Sequence, residues 1–223
     1  MKKDTKLVEM ENAADAILAG TYDPNKDYYF DAGETFNQPL PEGFNCQRFS
    51  CGVLFNQPLP EGFTCEGSFF CGESFNQSLP EGFRCQGSFY CCKSFNQSLP
   101  EGFGADKNFS CGNSFNQPLP EGFICGGNFW CGESFNQPLP ESFGCQSFGC
   151  SKSFNQPLPV GFTCKSFGCG VLFNQPLPEG FTCEGSFYCG ESFNQPLPKG
   201  FTCRQFSPGT SFRQTLPVGC DID

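Results

Sequence analysis

The chain is predicted to form a parallel, right-handed solenoid of ten short coils behind an N-terminal helical cap, and three observations predict it. Phe-Asn-Gln begins at Phe36, Phe55, Phe75, Phe95, Phe115, Phe135, Phe154, Phe173 and Phe193, and a worn copy, Phe212-Arg213-Gln214, closes a series spaced by 19 or 20 residues. A Leu-Pro pair stands in all ten copies and a Gly precedes the second Phe of nearly every copy, Ser142 being the exception, so turn chemistry recurs with the same period. A unit this short holds one strand of a few residues and a return path, so it cannot bury its own apolar face and is stable only when stacked.

Each element follows from its place in the unit. Three Phe columns, at the Phe55, Phe63 and Phe69 positions, carry 28 of the 30 Phe, and only Phe30 and Phe70 fall outside them. Two Cys columns carry 16 of the 18 Cys. The strand is expected over Ser68-Phe69-Phe70-Cys71 and its equivalents, where period-2 alternation turns Phe69 and Cys71 inward and Phe70 outward. Leu-Pro-Glu-Gly supplies turn and extended chain on the other side, where no ladder N–H is needed. Copies of 19 residues lack one residue between their two Cys, as in Cys46-Gln47-Arg48-Phe49-Ser50-Cys51, which marks a turn tolerant of length.

Residues 1–31 read as the cap, 32–220 as the solenoid and 221–223 as a tail. In the cap, Asp4 or Thr5 is expected to start a helix with Leu7, Met10, Ala14, Ile17 and Leu18 on one face and Gly20 as its stop. In the last coil Pro208 replaces the second Cys, Arg213 replaces Asn and Cys220 replaces the second Phe. Such a coil either need not stack or docks end to end with a second copy.

Composition removes whole classes of function. With no His there is no Ser-His-Asp or Cys-His catalysis and no imidazole metal ligand. The 13 Lys and Arg are scattered and the net charge is -10, which argues against nucleic acid. No apolar run can span a bilayer, and Met1 to Lys6 is followed by no hydrophobic signal region, so a cytoplasmic protein without membrane insertion is expected. In a reducing cytosol the Cys columns read as small buried core residues rather than disulfides, and their spacing is not the paired C-x2-C of zinc modules. The Asn and Gln columns are the same in every coil, so they carry no recognition information and read as stacked amide ladders.

The informative positions are those that vary while their neighbours do not. On the outward strand position the coils read Ser50, Phe70, Tyr90, Ser110, Trp130, Gly149, Gly168, Tyr188 and Ser207, and the position two before it includes Asn108 and Asn128. Aromatic anchors flanked by small polar residues suit contact with a protein or glycan. Phe70, Tyr90, Trp130 and Tyr188, with Asn108 and Asn128, are therefore the expected binding residues for an unidentified protein partner, with no catalytic residue, cofactor or metal.

The run Cys-Gly-x-Ser-Phe-Asn-Gln-Pro-Leu, complete at Cys131 to Leu139 and with Ser78 for Pro at Cys71 to Leu79, resembles the FNIP repeat, a relative of the leucine-rich repeats. It is also similar to the BspA-type leucine-rich repeats. The unit is shorter than the FNIP repeat and places Cys where that repeat places a strand Phe. The resemblance implies a leucine-rich-repeat-like solenoid that displays a concave strand face to other proteins, with no reaction and no cofactor. Because BspA-type members are often surface adhesins, the alternative it implies is a cell-surface adhesin or carbohydrate-binding repeat protein.

Overall fold

A computed structural model describes residues 10–150 and 152–216. The chain is a parallel β-solenoid, with one continuous 11-stranded sheet running along the stack. Glu11–Asn12 and Tyr28–Asp31 begin it, and one strand per coil follows, from Arg48–Ser50 to Gln205–Ser207. Register sets like on like: Phe69 lies between Phe49 and Phe89, and Phe129 between Phe109 and Phe148. The expected alternation holds, with Phe129 and Cys131 turned in and Trp130 turned out along Asn128–Cys131.

Stacked rings fill the interior. Phe49 and Phe69 are 4.7 Å apart and within 5° of parallel, while Phe109 meets Phe123 edge-on at 5.1 Å. Rings of one column stack in parallel from coil to coil, and rings of different columns meet edge-on both within a coil and between neighbours, so the offset and T-shaped arrangements that aromatic quadrupoles favour are both satisfied. Leu59, Leu79 and Leu99 and their equivalents close the same core.

Phe30, which lies outside the columns by sequence, is the first ring of the third column. It stands opposite Phe49 in the sheet, with ring centroids 4.6 Å apart. The segment Tyr28–Asp31 has Asp27 and Ala32 where a repeat has its two Cys, but it keeps the following Gly at Gly33 and the spacing of 19 from Phe30 to Phe49, so the sheet crosses the boundary drawn at residue 31. The helix also differs from expectation. Asp4, Thr5 and Leu7 lie outside the described residues, and the helix spans Ala13–Ala19, where Asn12 Oδ1 accepts the Ala14 N–H. Gly20 ends it as predicted. Of the expected face Ala14 is buried and Ile17 packs, partly buried, against the core, but Ala13 and Ala16 are the other buried residues, Leu18 is 65% exposed and Met10 precedes the helix. Small side chains let the helix lie close against Tyr28–Asp31, which the longer apolar stripe would hold away. Tyr22 stacks on Phe44 at 5.4 Å and so closes the second column at the same end.

A second, shorter ladder was not legible as strand. Asn45–Cys46 pairs with Thr64–Cys65, Gly104–Ala105 with Ile124–Cys125, and Thr163–Cys164 with Thr182–Cys183, placing the first Cys column in register from coil to coil. Ala105, the one non-Cys in that column here, is fully buried, which fits a position selected for small size. The extra residue of the longer copies sits in the bend between the two ladders. At Gly67 a Cβ would stand 2.3 Å from the Gln47 carbonyl oxygen of the coil before, so a side chain has no room there. The Pro-Glu-Gly turn closes through the Phe63 N–H to the Pro60 carbonyl at 3.1 Å, with Gly62 at φ 72° as a type II turn requires. Ser142 keeps the equivalent bond, Phe143 to Pro140 at 3.0 Å, without a positive φ.

The amide columns hold the side of the stack that has no strand. From Asn37 to Asn194, each Asn Oδ1 accepts the backbone N–H of the corresponding residue one coil on, at 2.8–3.0 Å. The next Gln Nε2 donates to the same oxygen at 3.2–3.3 Å. At the last coil Arg213 takes the bond from Asn194 but has no Oδ1 to pass on, and its guanidinium turns back to the Thr210 and Phe212 carbonyls at 2.8 Å. The ladder therefore ends at Arg213.

Candidate functional site

The sheet positions its outward residues as a row about 4.8 Å apart, the strand spacing. Phe70 and Tyr90 stack at 4.9 Å and 12°, and the Arg48 guanidinium covers the other face of Phe70 at 5.1 Å. Cation and rings thus form a preassembled strip with little rotamer freedom left to lose on binding. Trp130 and Tyr188 are 40% and 46% exposed, the most open aromatics of the row. Between them the strand positions are Gly149 and Gly168, and the Trp130 indole lies across Gly149, where a Cβ would come within 2.8 Å of its Cδ1. Sequence reasoning listed these glycines without seeing that one makes room for the indole.

Asn108 and Asn128 behave differently from the aromatics. Asn108 Nδ2 donates to the Tyr90 hydroxyl at 3.2 Å, and its Oδ1 accepts the Asn128 N–H at 2.9 Å. With the Ser68 and Ser88 hydroxyls, which accept the N–H groups of Ser88 and Asn108, these residues make a second side-chain ladder. Asn108 is committed to holding Tyr90 and the next coil, so the structure brings it to the site as a positioning residue. Tyr188 is fixed in the same manner, its hydroxyl donating to Gln205 Oε1 at 3.2 Å.

Beside Arg48 and Phe70 a groove of about 480 Å³ is lined by both signs of charge, Asp27 and Glu66 with Arg48 and Lys107. Its position next to the aromatic strip was not read from the sequence, because Asp27 lies in the segment taken for the cap.

The cysteines face the other way. Burial pushes the thiols of Cys51, Cys85, Cys111 and Cys145 up to about 12 and that of Cys91 to about 11. Cys131 and Cys150 stand opposite each other with Cα atoms 5.0 Å apart and are paired as a disulfide, a departure from the expected all-thiol columns, whereas buried column members such as Cys51, Cys85 and Cys111 form no disulfide. Among the described residues no group of three or more His, Cys, Asp or Glu is placed to hold a metal ion. The buried thiols predict an alkaline limit to stability. Below pH 9 folded and unfolded states both keep these protons; above it the unfolded chain, with thiols near 9, releases protons that the folded state retains to about 12. A thermal midpoint that is flat with respect to these groups up to pH 9 and falls steadily toward pH 11 is the expected result. A midpoint unchanged at pH 11 would contradict their burial.

Among the described residues no helix is long and apolar enough to cross a membrane. No family model, curated protein or solved structure matches the chain, so its likeness to FNIP and BspA-type repeats rests on the quoted residues.

Proposed function

We propose that the chain is a non-enzymatic, cytoplasmic interaction scaffold that binds a protein partner on the outward face of its long sheet, through Phe70, Tyr90, Trp130 and Tyr188. The observation that supports this is the contrast between columns: every interior row is nearly uniform, whereas the outward row alternates aromatic, hydroxyl and glycine and leaves Trp130 and Tyr188 open. Aromatic anchors on a rigid surface bind at low entropic cost. The sequence has no His, which removes His-based dyads, and the repeated Asn and Gln columns are spent on the scaffold.

A second reading, a carbohydrate-binding or adhesive surface, is favoured by one feature, the Trp130 indole lying over Gly149 as a flat stacking platform. The test for both is the pair of variants Trp130→Ser and Tyr90→Ser at unchanged thermal midpoint. Loss of a protein recovered by the wild type, with no change in glycan-array signal, supports the scaffold. Loss of a glycan signal instead supports the alternative, and partner recovery at the wild-type level in both variants rejects this face.

End-to-end docking of the C-terminal coil on a second copy would have to proceed without the amide ladder, since Arg213 closes it.

A further inference from the structure

One edge of the stack carries a pattern that neither the core nor the strand face uses. In each coil a tight turn follows the strand, as where the Phe75 N–H bonds the Gly72 carbonyl at 3.2 Å, and its two central residues project at the tip. These tips are held in strict succession by cross-coil bonds, Ser74 to Val53, Ser114 to Lys93, Ser134 to Asn113, Ser153 to Glu133 and Leu172 to Lys152, all at 3.1–3.2 Å. From the second coil to the eighth the first tip residue reads Val53, Glu73, Lys93, Asn113, Glu133, Lys152, Val171, with Glu34 before this stretch and Glu191 after it. The second reads Leu54, then four Ser from Ser74 to Ser134, then Ser153 and Leu172.

Inverted about Asn113, this row is complementary to itself. Val53-Leu54 falls on Val171-Leu172, Glu73 on Lys152, Lys93 on Glu133, and Asn113 on Asn113. The second residue is symmetric as well, Leu on Leu at both ends and Ser on Ser between. The four apolar tip residues are 38–52% exposed and are among the few exposed large hydrophobics on the molecule. The charged tips are open too, with Lys93 and Glu73 side chains 72% and 62% exposed and Lys152 and Glu133 65% and 48%. Segments 51–77 and 169–195 are near copies, differing only at Phe70 and Tyr188, and duplication therefore accounts for two Val-Leu tips. It does not account for the opposite-sign order between them.

We infer that this edge is a homodimer interface, in which two copies lie antiparallel, side by side, about a twofold axis passing between their Asn113 turns. A twofold contact is isologous, so a patch must complement its own inversion, and the stretch from Val53 to Val171 does in sign and in apolarity, with Glu34 and Glu191 as like charges just outside it that limit the contact to these seven tips. Within one chain Glu73 pairs with Lys93 at 3.6 Å and Glu133 with Lys152 at 3.3 Å. Across the axis each pair meets the other reversed, making a four-charge array with unlike neighbours along and across the edge, closed at both ends by Val-Leu contacts. Six coil steps of about 4.8 Å make the contact roughly 29 Å long. Only two residues wide, it belongs to the small, weakly binding class of interfaces, and association is expected to depend on concentration.

The test uses the full chain and two compensating variants. Lys93→Glu with Lys152→Glu makes the row wholly acidic, and Glu73→Lys with Glu133→Lys makes it wholly basic. Sedimentation at up to about 1 mM, the weak end of specific association, is expected to show dimers for the wild type and monomers for each variant alone. An equimolar mixture of the two variants should dimerise at least as well as the wild type, which loss of folding could not produce. Val53→Asp with Val171→Asp is expected to weaken the wild-type dimer tenfold or more. A monomeric wild type over that range, self-association retained by either charge variant alone, or no association in the mixture overturns the inference. None of these outcomes bears on the strand face, which lies on a different side of each turn.

Discussion

Phe109→Ala is expected to lower the stability of the chain by about 3–5 kcal/mol, the usual cost of deleting a buried ring. Phe109 has no exposed surface and its ring meets five others: Phe89 and Phe129 in its own column at 5.6 and 5.4 Å, and Phe103, Phe115 and Phe123 edge-on at 5.1–6.3 Å. Rows of the core are built from one residue type held at fixed height by the ladders, so neighbouring coils cannot slide inward to fill the void. The defect also sits mid-stack, and in a solenoid each coil is stabilised through its two neighbours. Chemical denaturation should show the loss, with hydrogen exchange rising first in the coils on either side of residue 109. Phe212→Ala, at a half-buried ring that among the described residues meets the rings of Phe193 and Phe206, should cost under about 1.5 kcal/mol. Equal costs at the two sites would mean that the column does not act as a stack.

Asn96→Ala should be the next most damaging, at about 1–3 kcal/mol. The Asn96 Oδ1 accepts two bonds, from the Asn116 N–H at 2.9 Å and Gln117 Nε2 at 3.3 Å, and alanine removes both from the coil-to-coil ladder. Asn96→Asp keeps an oxygen in that place and should recover most of the loss. Asn194→Ala removes support only from the Arg213 coil, and its effect is expected to be confined to exchange and proteolysis at that end. A full-size loss from Asn96→Asp would indicate that the amide nitrogen, and not the ladder oxygen, is what the stack requires.

Much of this architecture was legible because a solenoid repeats its instructions. Phe49, Phe69 and Phe89 face inward and Phe70, Tyr90 and Trp130 outward by simple alternation, and the same alternation repeated nine times leaves little room for another register. Failures came where a segment serves the stack without sharing the repeat's residues. Phe30 lacks the flanking Cys but fills the third column, and of the helix stripe Ala14 is buried and Ile17 packs on the core while Leu18 is exposed, because Ala13 and Ala16 take the close contact with the sheet. The short ladder at Cys46 and Cys65 has too few residues per coil to show any alternation.

At the candidate site, the aromatic row was visible as departures from invariance, but the partners of each ring were not. Nothing in the order of residues says that Arg48 covers Phe70, that Asn108 holds the Tyr90 hydroxyl, or that Gly149 accommodates the Trp130 indole, because these contacts join residues 18 to 22 positions apart. The sequence alone determined that the chain stacks, which columns face inward, and which row is free to vary, since period and polarity decide those. Tertiary structure decided where the stack begins, which polar groups are spent on holding it, and that the tips from Val53 to Val171 form one continuous edge, because only the cross-coil bonds convert a period in the chain into positions in space.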